Sequence, residues 1–272
     1  MPRADGLYYE RRGAGEPLLL ITGWTISAAV FEPVLDRYAE HFECIVYDHR
    51  GSARSSGSPP TTMAALADDA AALLTALRVP RAHVYGLSMG GMVAQELALR
   101  HPGRVRGLIL GGTSPGGPFA PRLGPRDMLA IVRGSVAERG MRAPVLFSEA
   151  FRREQPECVR ELLRSFRRHR SSAAAIGAQT LASAQFASTL RLGRLRAPTL
   201  VMHGERDRLV PLSAARLLAA RIPDAELAVV PGAGHAYALE APEESLELLL
   251  DWHRRRLPPS RTREEAHVAP DR

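Results

Sequence analysis

Lysine is absent from this 272-residue chain: all 36 Lys/Arg positions are arginine. That removes Schiff-base chemistry, a phosphate-gripping P-loop lysine and a lysine general base. Cysteine is scarce. Cys44 and Cys158 stand far apart and offer neither a disulfide framework nor a metal-ligand spacing. No apolar run approaches the length of a membrane span, and Met1-Pro2-Arg3-Ala4-Asp5 has no apolar signal core. The expectation is a cytoplasmic protein with no membrane partner. The arginine excess gives a net charge of +7. Its densest clusters are Arg152-Arg153, Arg167-Arg168-His169-Arg170 and Arg254-Arg255-Arg256. Each has acidic neighbours and no nucleic-acid motif, so they read as solvated helix faces.

What is present suffices for one large domain with a full core, at 45% hydrophobic residues. In the first half, short apolar runs alternate with helical segments. Leu18 to Ile21, Phe42 to Tyr47, the run around Val84 and Val105 to Leu110 read as strands. Ala28 to Glu40, Thr62 to Leu77 and Met92 to Arg100 read as helices. Near-continuous apolar strands separated by helices predict a parallel sheet covered on both faces, an α/β fold. After Gly111 the rhythm breaks. Residues 114–126 read as a loop. Asp127 to Arg139, Pro144 to Arg153, Pro156 to His169 and Ser172 to Ser188 read as helices with no strand among them. Strand and helix resume at Thr199 to Met202, Ser213 to Arg221, Ala225 to Val230 and Glu243 to Arg256. The expected organisation is a core of residues 1–113 and 197–257, a helical insertion of 114–196, and a disordered polar tail of 258–272.

The stretch with most chemistry is Gly86-Leu87-Ser88-Met89-Gly90, between a strand and a helix. A sharp turn there strains the serine backbone, and glycines on either side relieve the crowding. The pattern alone is weak, arising by chance in roughly one chain in ten of this composition. A serine hydroxyl becomes a nucleophile only with a base in reach, an acid to orient the base, and amide donors for the oxyanion. His235, on the glycine-rich loop after the last strand, is the candidate base. Asp207, after the Thr199 strand, is the candidate acid, with Glu205 two residues earlier as its rival. The amides of Met89 and Trp24 are the candidate oxyanion donors. Asp48 and Arg50 read as loop ties, and His49 and His203 as packing or loop support. Phe147, Phe151, Phe166 and Phe186 are candidates for an apolar acyl pocket.

The segments LLLITGW, YDHRGSARSSG (Tyr47 to Gly57), GLSMGGMVAQELALRHPGRVRGLIL, APTLVMHGERDRLVP and VVPGAGHAYALEAPEE together resemble α/β-hydrolases over essentially the whole chain. The serine branch of esterases, enol-lactonases and cofactor-free haloperoxidases is most similar. The resemblance implies a mostly parallel sheet of seven or eight strands with a helical cap inserted after the sixth. It implies a Ser88-His235-Asp207 triad acting on a small carboxylic ester or lactone, with no metal or organic cofactor. Two departures stand out. Thr22 replaces the histidine that many relatives carry before the oxyanion residue. The first strand is abbreviated, which would leave the sheet edge one strand short. The same triad also serves C–C bond hydrolases, lyases or cyclases and perhydrolases, and a ligand receptor can use the scaffold without catalysis.

Overall fold

The computed structural model describes residues 3–118, 120 and 143–257. The expected helix of Asp127 to Arg139 and the tail 258–272 lie outside them. The strands are β1 (Arg3–Ala4), β2 (Leu7–Arg12), β3 (Pro17–Ile21), β4 (Glu43–Tyr47), β5 (Ala82–Leu87), β6 (Val105–Gly111), β7 (Thr199–Gly204) and β8 (Ala225–Val230). They form one sheet in the order β1-β2-β4-β3-β5-β6-β7-β8, parallel from β4 to β8 and antiparallel at β1 and β2. The short edge strand is retained, not lost. Asp5 and Gly6 both have positive φ (48° and 81°), which closes a tight hairpin and pairs Ala4 with Leu7.

The central strands are apolar on both faces because both faces are covered. Leu19 and Ile21 of β3 enter one core; Leu18 and Leu20 enter the other. Helices α1 (Glu32–Ala39), α2 (Met63–Ala76) and α3 (Met89–Arg100) belong to the first half. α2 and α3 pack on the Leu19 face with α8, and α1 packs on the Leu18 face with α10. Here α8 is Leu212–Arg221 and α10 is Pro242–Arg256, preceded by the short α9 (Tyr237–Glu240). Between β6 and β7 lie α4 (Ala143–Leu146), α5 (Glu149–Glu154), α6 (Pro156–Arg167) and α7 (Ala173–Gln185). Among the described residues, no helix is long and apolar enough to cross a membrane.

Two expected helices are interrupted. The span Ala28 to Glu40 begins as a 3₁₀ turn, Ala28–Phe31, and becomes α1 only at Glu32. Pro33 has no N–H to donate and fits a first helical turn, not an interior. The span Pro144 to Arg153 is split at Phe147-Ser148, where the Ser148 hydroxyl accepts from Phe151 N and caps α5.

The strand order reverses between β3 and β5, which are neighbours with Ile21 opposite Gly86. Their following loops diverge to opposite sides of the sheet. A crevice therefore opens above their carboxyl ends, the usual ligand position in an open α/β sheet.

Candidate active site

Ser88 stands where β5 turns into α3, on one lip of that crevice. Its backbone has φ 57° and ψ −120°, a conformation costing about 1–3 kcal/mol for a non-glycine residue. Only glycine fits on either side. A Cβ on Gly86 would lie 2.2 Å from the Gly90 carbonyl oxygen, and one on Gly90 would lie 2.2 Å from that of Ile21. The turn is tied to β6: Ser88 N donates to Gly111 O at 2.8 Å, and Thr113 Oγ1 donates to Ser88 O at 2.6 Å.

Asp207 and His235 come from the loops after β7 and β8. His235 Nδ1 donates to Asp207 Oδ2 at 2.8 Å, with the carboxylate fully buried and the ring nearly so. That bond fixes the tautomer and leaves Nε2 free to accept a proton. Asp207 Oδ1 is held by the amides of Leu209 (2.8 Å) and Val210 (2.9 Å). His203 Nε2 donates to Val210 O at 2.9 Å and lies 3.3 Å from Asp207 Oδ2; burial keeps this ring below the ordinary histidine pKa. It props the acid loop as a neutral donor. Glu205, the rival acid, is exposed and accepts from Gly232 N at 3.0 Å. It does not meet His235.

The loop after β3 forms the other lip. A Cβ on Gly23 would lie 3.3 Å from Ser88 Cβ, so this loop runs against the serine. Thr22 O accepts from His49 Nε2 at 3.2 Å, which supports the loop. Thr25, at φ 62°, donates its amide to Gln179 Oε1 at 2.7 Å, and Gln179 Nε2 donates to Ser52 Oγ at 2.9 Å. The Trp24 indole donates to Thr180 at 3.1 Å. α7 therefore clasps the very loop that carries Trp24. Met89 is the first residue of α3, a position whose amide has no acceptor within the helix. Asp48 ties loops together as expected: Oδ1 accepts from Ala28 N at 2.6 Å and Oδ2 from Arg54 Nε at 2.7 Å. Arg50 pairs with Asp69 at 2.9 Å.

The alpha/beta hydrolase fold model matches residues 16–242 of this chain. The chain belongs to the alpha/beta hydrolase fold family. It is 34% identical over 264 residues to a protein of Azorhizobium caulinodans named as the carbamate hydrolase RutD, covering 92% of this chain and 97% of that one. It is 31% identical to Est816, described as an N-acyl homoserine lactone degrading enzyme. There the TM-score is 0.78, with 92% and 98% of the two chains covered. A thermophilic esterase from Thermogutta terrifontis is 30% identical, with a TM-score of 0.76 over 92% and 93% of the chains. Relatives named as hydrolases and esterases make this chain a hydrolase-type enzyme.

In this hydrolase Ser88 and His235 line one cavity of about 60 Å³, walled by Trp24, Val30, Leu146 and Phe166 among others. Of the four expected pocket phenylalanines, only Phe166 reaches it. Phe147 stacks behind Phe166 (centroids 6.3 Å apart) and against Phe151 (5.7 Å), filling the core under the insertion. Phe186 packs into the other core, toward Gly116. Phe147, Phe151 and Phe186, expected in the acyl pocket, are thus not among the residues lining this cavity. Helical spacing showed that these rings are apolar but not which way each helix turns them. Their place in the wall is taken by aliphatic residues such as Leu209 and Leu239. A larger open groove of about 810 Å³, between α1 and α6, is lined by charged residues including Glu32, Glu161 and Arg168, away from Ser88.

One further residue of the hydrolase holds the site together. Glu240 Oε1 accepts from Gly234 N at 2.9 Å and Ser148 N at 3.1 Å, clamping the His235 loop to the insertion. Burial raises its carboxyl above the ordinary glutamate range. The folded state thus keeps a proton that the unfolded chain has lost. Stability falls as pH rises from the ordinary value through the raised one. Glu240→Gln retains the oxygen acceptor without the buried charge. It is expected to remove that decline, so that its thermal midpoint relative to the parent rises between pH 4 and pH 7. Glu240→Ala leaves two amides without an acceptor and is expected to lose about 1–3 kcal/mol at either pH, read by denaturant unfolding.

Proposed function

We propose that this hydrolase cleaves small, uncharged carboxylic esters or lactones through Ser88, His235 and Asp207. The observation that carries the reading is the buried His235–Asp207 pair opening on the same cavity as the strained Ser88. His235 Nε2 takes the Ser88 proton as Oγ attacks the carbonyl. The Trp24 and Met89 amides receive the oxyanion of the tetrahedral intermediate. The imidazolium, stabilised by Asp207, then protonates the leaving alcohol and an acyl-enzyme remains. Water, deprotonated by His235, attacks that acyl group and releases the acid. Helices α4 to α7, within the 114–196 insertion, act as the cap that shapes the acyl pocket.

Size and charge bear on the substrate. A cavity of about 60 Å³ admits a short acyl group. Among its described lining residues no side chain is Arg, Asp or Glu. Among those described residues a charged acyl group meets no ionic partner. A second reading comes from the relatives named as carbamate hydrolases: the same attack on a neutral carbamate carbonyl. The test is a rate panel of p-nitrophenyl acetate, p-nitrophenyl octanoate, a γ-lactone and a neutral p-nitrophenyl carbamate. The expected order puts acetate at least tenfold above octanoate, with the carbamate slowest. A carbamate turned over faster than the acetate would replace the first reading by the second. No turnover of any of them would end both.

A further inference from the structure

At the opposite end of β5 from Ser88, three side chains far apart in sequence converge. Glu16 precedes β3, His83 is the second residue of β5, and His253 lies in the last turns of α10. Glu16 Oε2 is 2.8 Å from His83 Nε2 and 3.1 Å from His253 Nε2, and the two imidazole nitrogens are 3.3 Å apart. One carboxylate oxygen and two ring nitrogens thus form a closed triangle. Five residues of strand put it about 16 Å from Ser88, so the hydrolase reading has no use for it.

We propose that Glu16, His83 and His253 form a divalent-cation site suited to zinc, which cross-links β3, β5 and the last helix.

The geometry fits that ion. Zinc holds imidazole nitrogen at about 2.0–2.1 Å, so two nitrogens at a tetrahedral angle stand about 3.3–3.4 Å apart. The observed 3.3 Å matches this separation. The carboxylate oxygen needs to withdraw by a few tenths of an ångström to match. Its partner oxygen is already engaged: Arg106 lies 2.8 Å from Glu16 Oε1, which turns Oε2 toward the histidines for one-atom ligation. The rings stand edge to face with centroids 4.8 Å apart, and Phe42 packs its ring against both. Both imidazoles are thereby held in orientation. His83 is fully buried, whereas the side chains of Glu16 and His253 are 26% and 18% exposed. The open side gives the ion an entry path and leaves a fourth position for water. Two nitrogens and one oxygen favour zinc over magnesium or calcium, which demand oxygen ligands. His83 Nδ1 is buried without a partner. Zinc-bound histidines usually donate that N–H to an acceptor, and its lack lowers affinity by roughly 10–100-fold relative to a fully supported site.

The test uses chelator-treated full-length protein. Calorimetric titration with zinc chloride is expected to show one tight equivalent, and magnesium chloride none. Zinc at a hundred times its Kd is expected to raise the thermal midpoint by several degrees. Cobalt substitution is expected to give the visible absorption of a tetrahedral ion. His253→Ala and Glu16→Gln act at the exposed side of the triangle, where folding is least endangered. Each is expected to weaken zinc binding at least tenfold and to abolish the zinc-dependent shift, while p-nitrophenyl acetate hydrolysis stays within twofold. Zinc binding that both variants retain at parental affinity would overturn the proposal, as would absence of a tight equivalent or equal affinity for magnesium.

Discussion

Ser88→Ala is expected to lower kcat on an activated ester by about 10⁴–10⁶-fold, with the thermal midpoint almost unchanged. The size follows from what the hydroxyl does: without Oγ no acyl-enzyme forms, and His235 and the amides retain only their own contribution. Stability is spared because the strain at Ser88 belongs to the backbone. The φ of 57° is imposed by Gly86, Gly90 and the bonds to Gly111 and Thr113, and an alanine there keeps it. Initial rates measured alongside a melting curve separate the two effects.

Asp207→Asn is expected to lower kcat by about 10³–10⁴-fold, for a reason specific to this loop. The amides of Leu209 and Val210 both point at Oδ1. An asparagine must therefore keep its oxygen there and turn its NH₂ toward His235. The ring then offers a bare Nδ1 and carries its proton on Nε2, where it cannot take one from Ser88. The new NH₂ also faces the Nε2–H of His203, 3.3 Å from the present Oδ2. A stability loss of about 1–3 kcal/mol should accompany the kinetic one. Glu205→Gln is the control. Glu205 supports Gly232 and not His235, so its rate is expected to stay within twofold. A large loss in the Glu205 variant with a small one in the Asp207 variant would exchange the two roles.

The parts of the site legible in the sequence are those set by short stretches. Gly86 and Gly90 are required by contacts within one turn and the adjacent strand, and the glycine–serine spacing displays that need. Asp207 and His235 follow apolar strands, so strand ends locate them. Parallel neighbours then bring the loops together. The late start of α1 was missed, because the apolar pattern over Ala28 to Glu40 suggests an unbroken helix and outweighed Pro33, which fits only a first turn. The pocket phenylalanines were not legible, because the rotation of each inserted helix is decided by packing. Gln179 pairs with Thr25 and Ser52 across more than 120 residues, and Glu240 reaches Ser148 across 92. No local pattern marks such partners. The Glu16, His83 and His253 triangle is the extreme case, joining residues 237 positions apart.

The central claim, that Ser88 is the acylated nucleophile, is tested most directly by covalent trapping. Protein treated with an alkyl fluorophosphonate is digested with trypsin and sequenced by mass spectrometry, while residual ester hydrolysis is followed in parallel. Cleavage after Arg81 and Arg100 releases a peptide in which Ser88 is the only serine or threonine. One adduct per chain on Ser88, rising as activity falls and absent from Ser88→Ala, is the expected result. Full modification of Ser88 with hydrolysis intact, or inactivation with the adduct elsewhere, would contradict it.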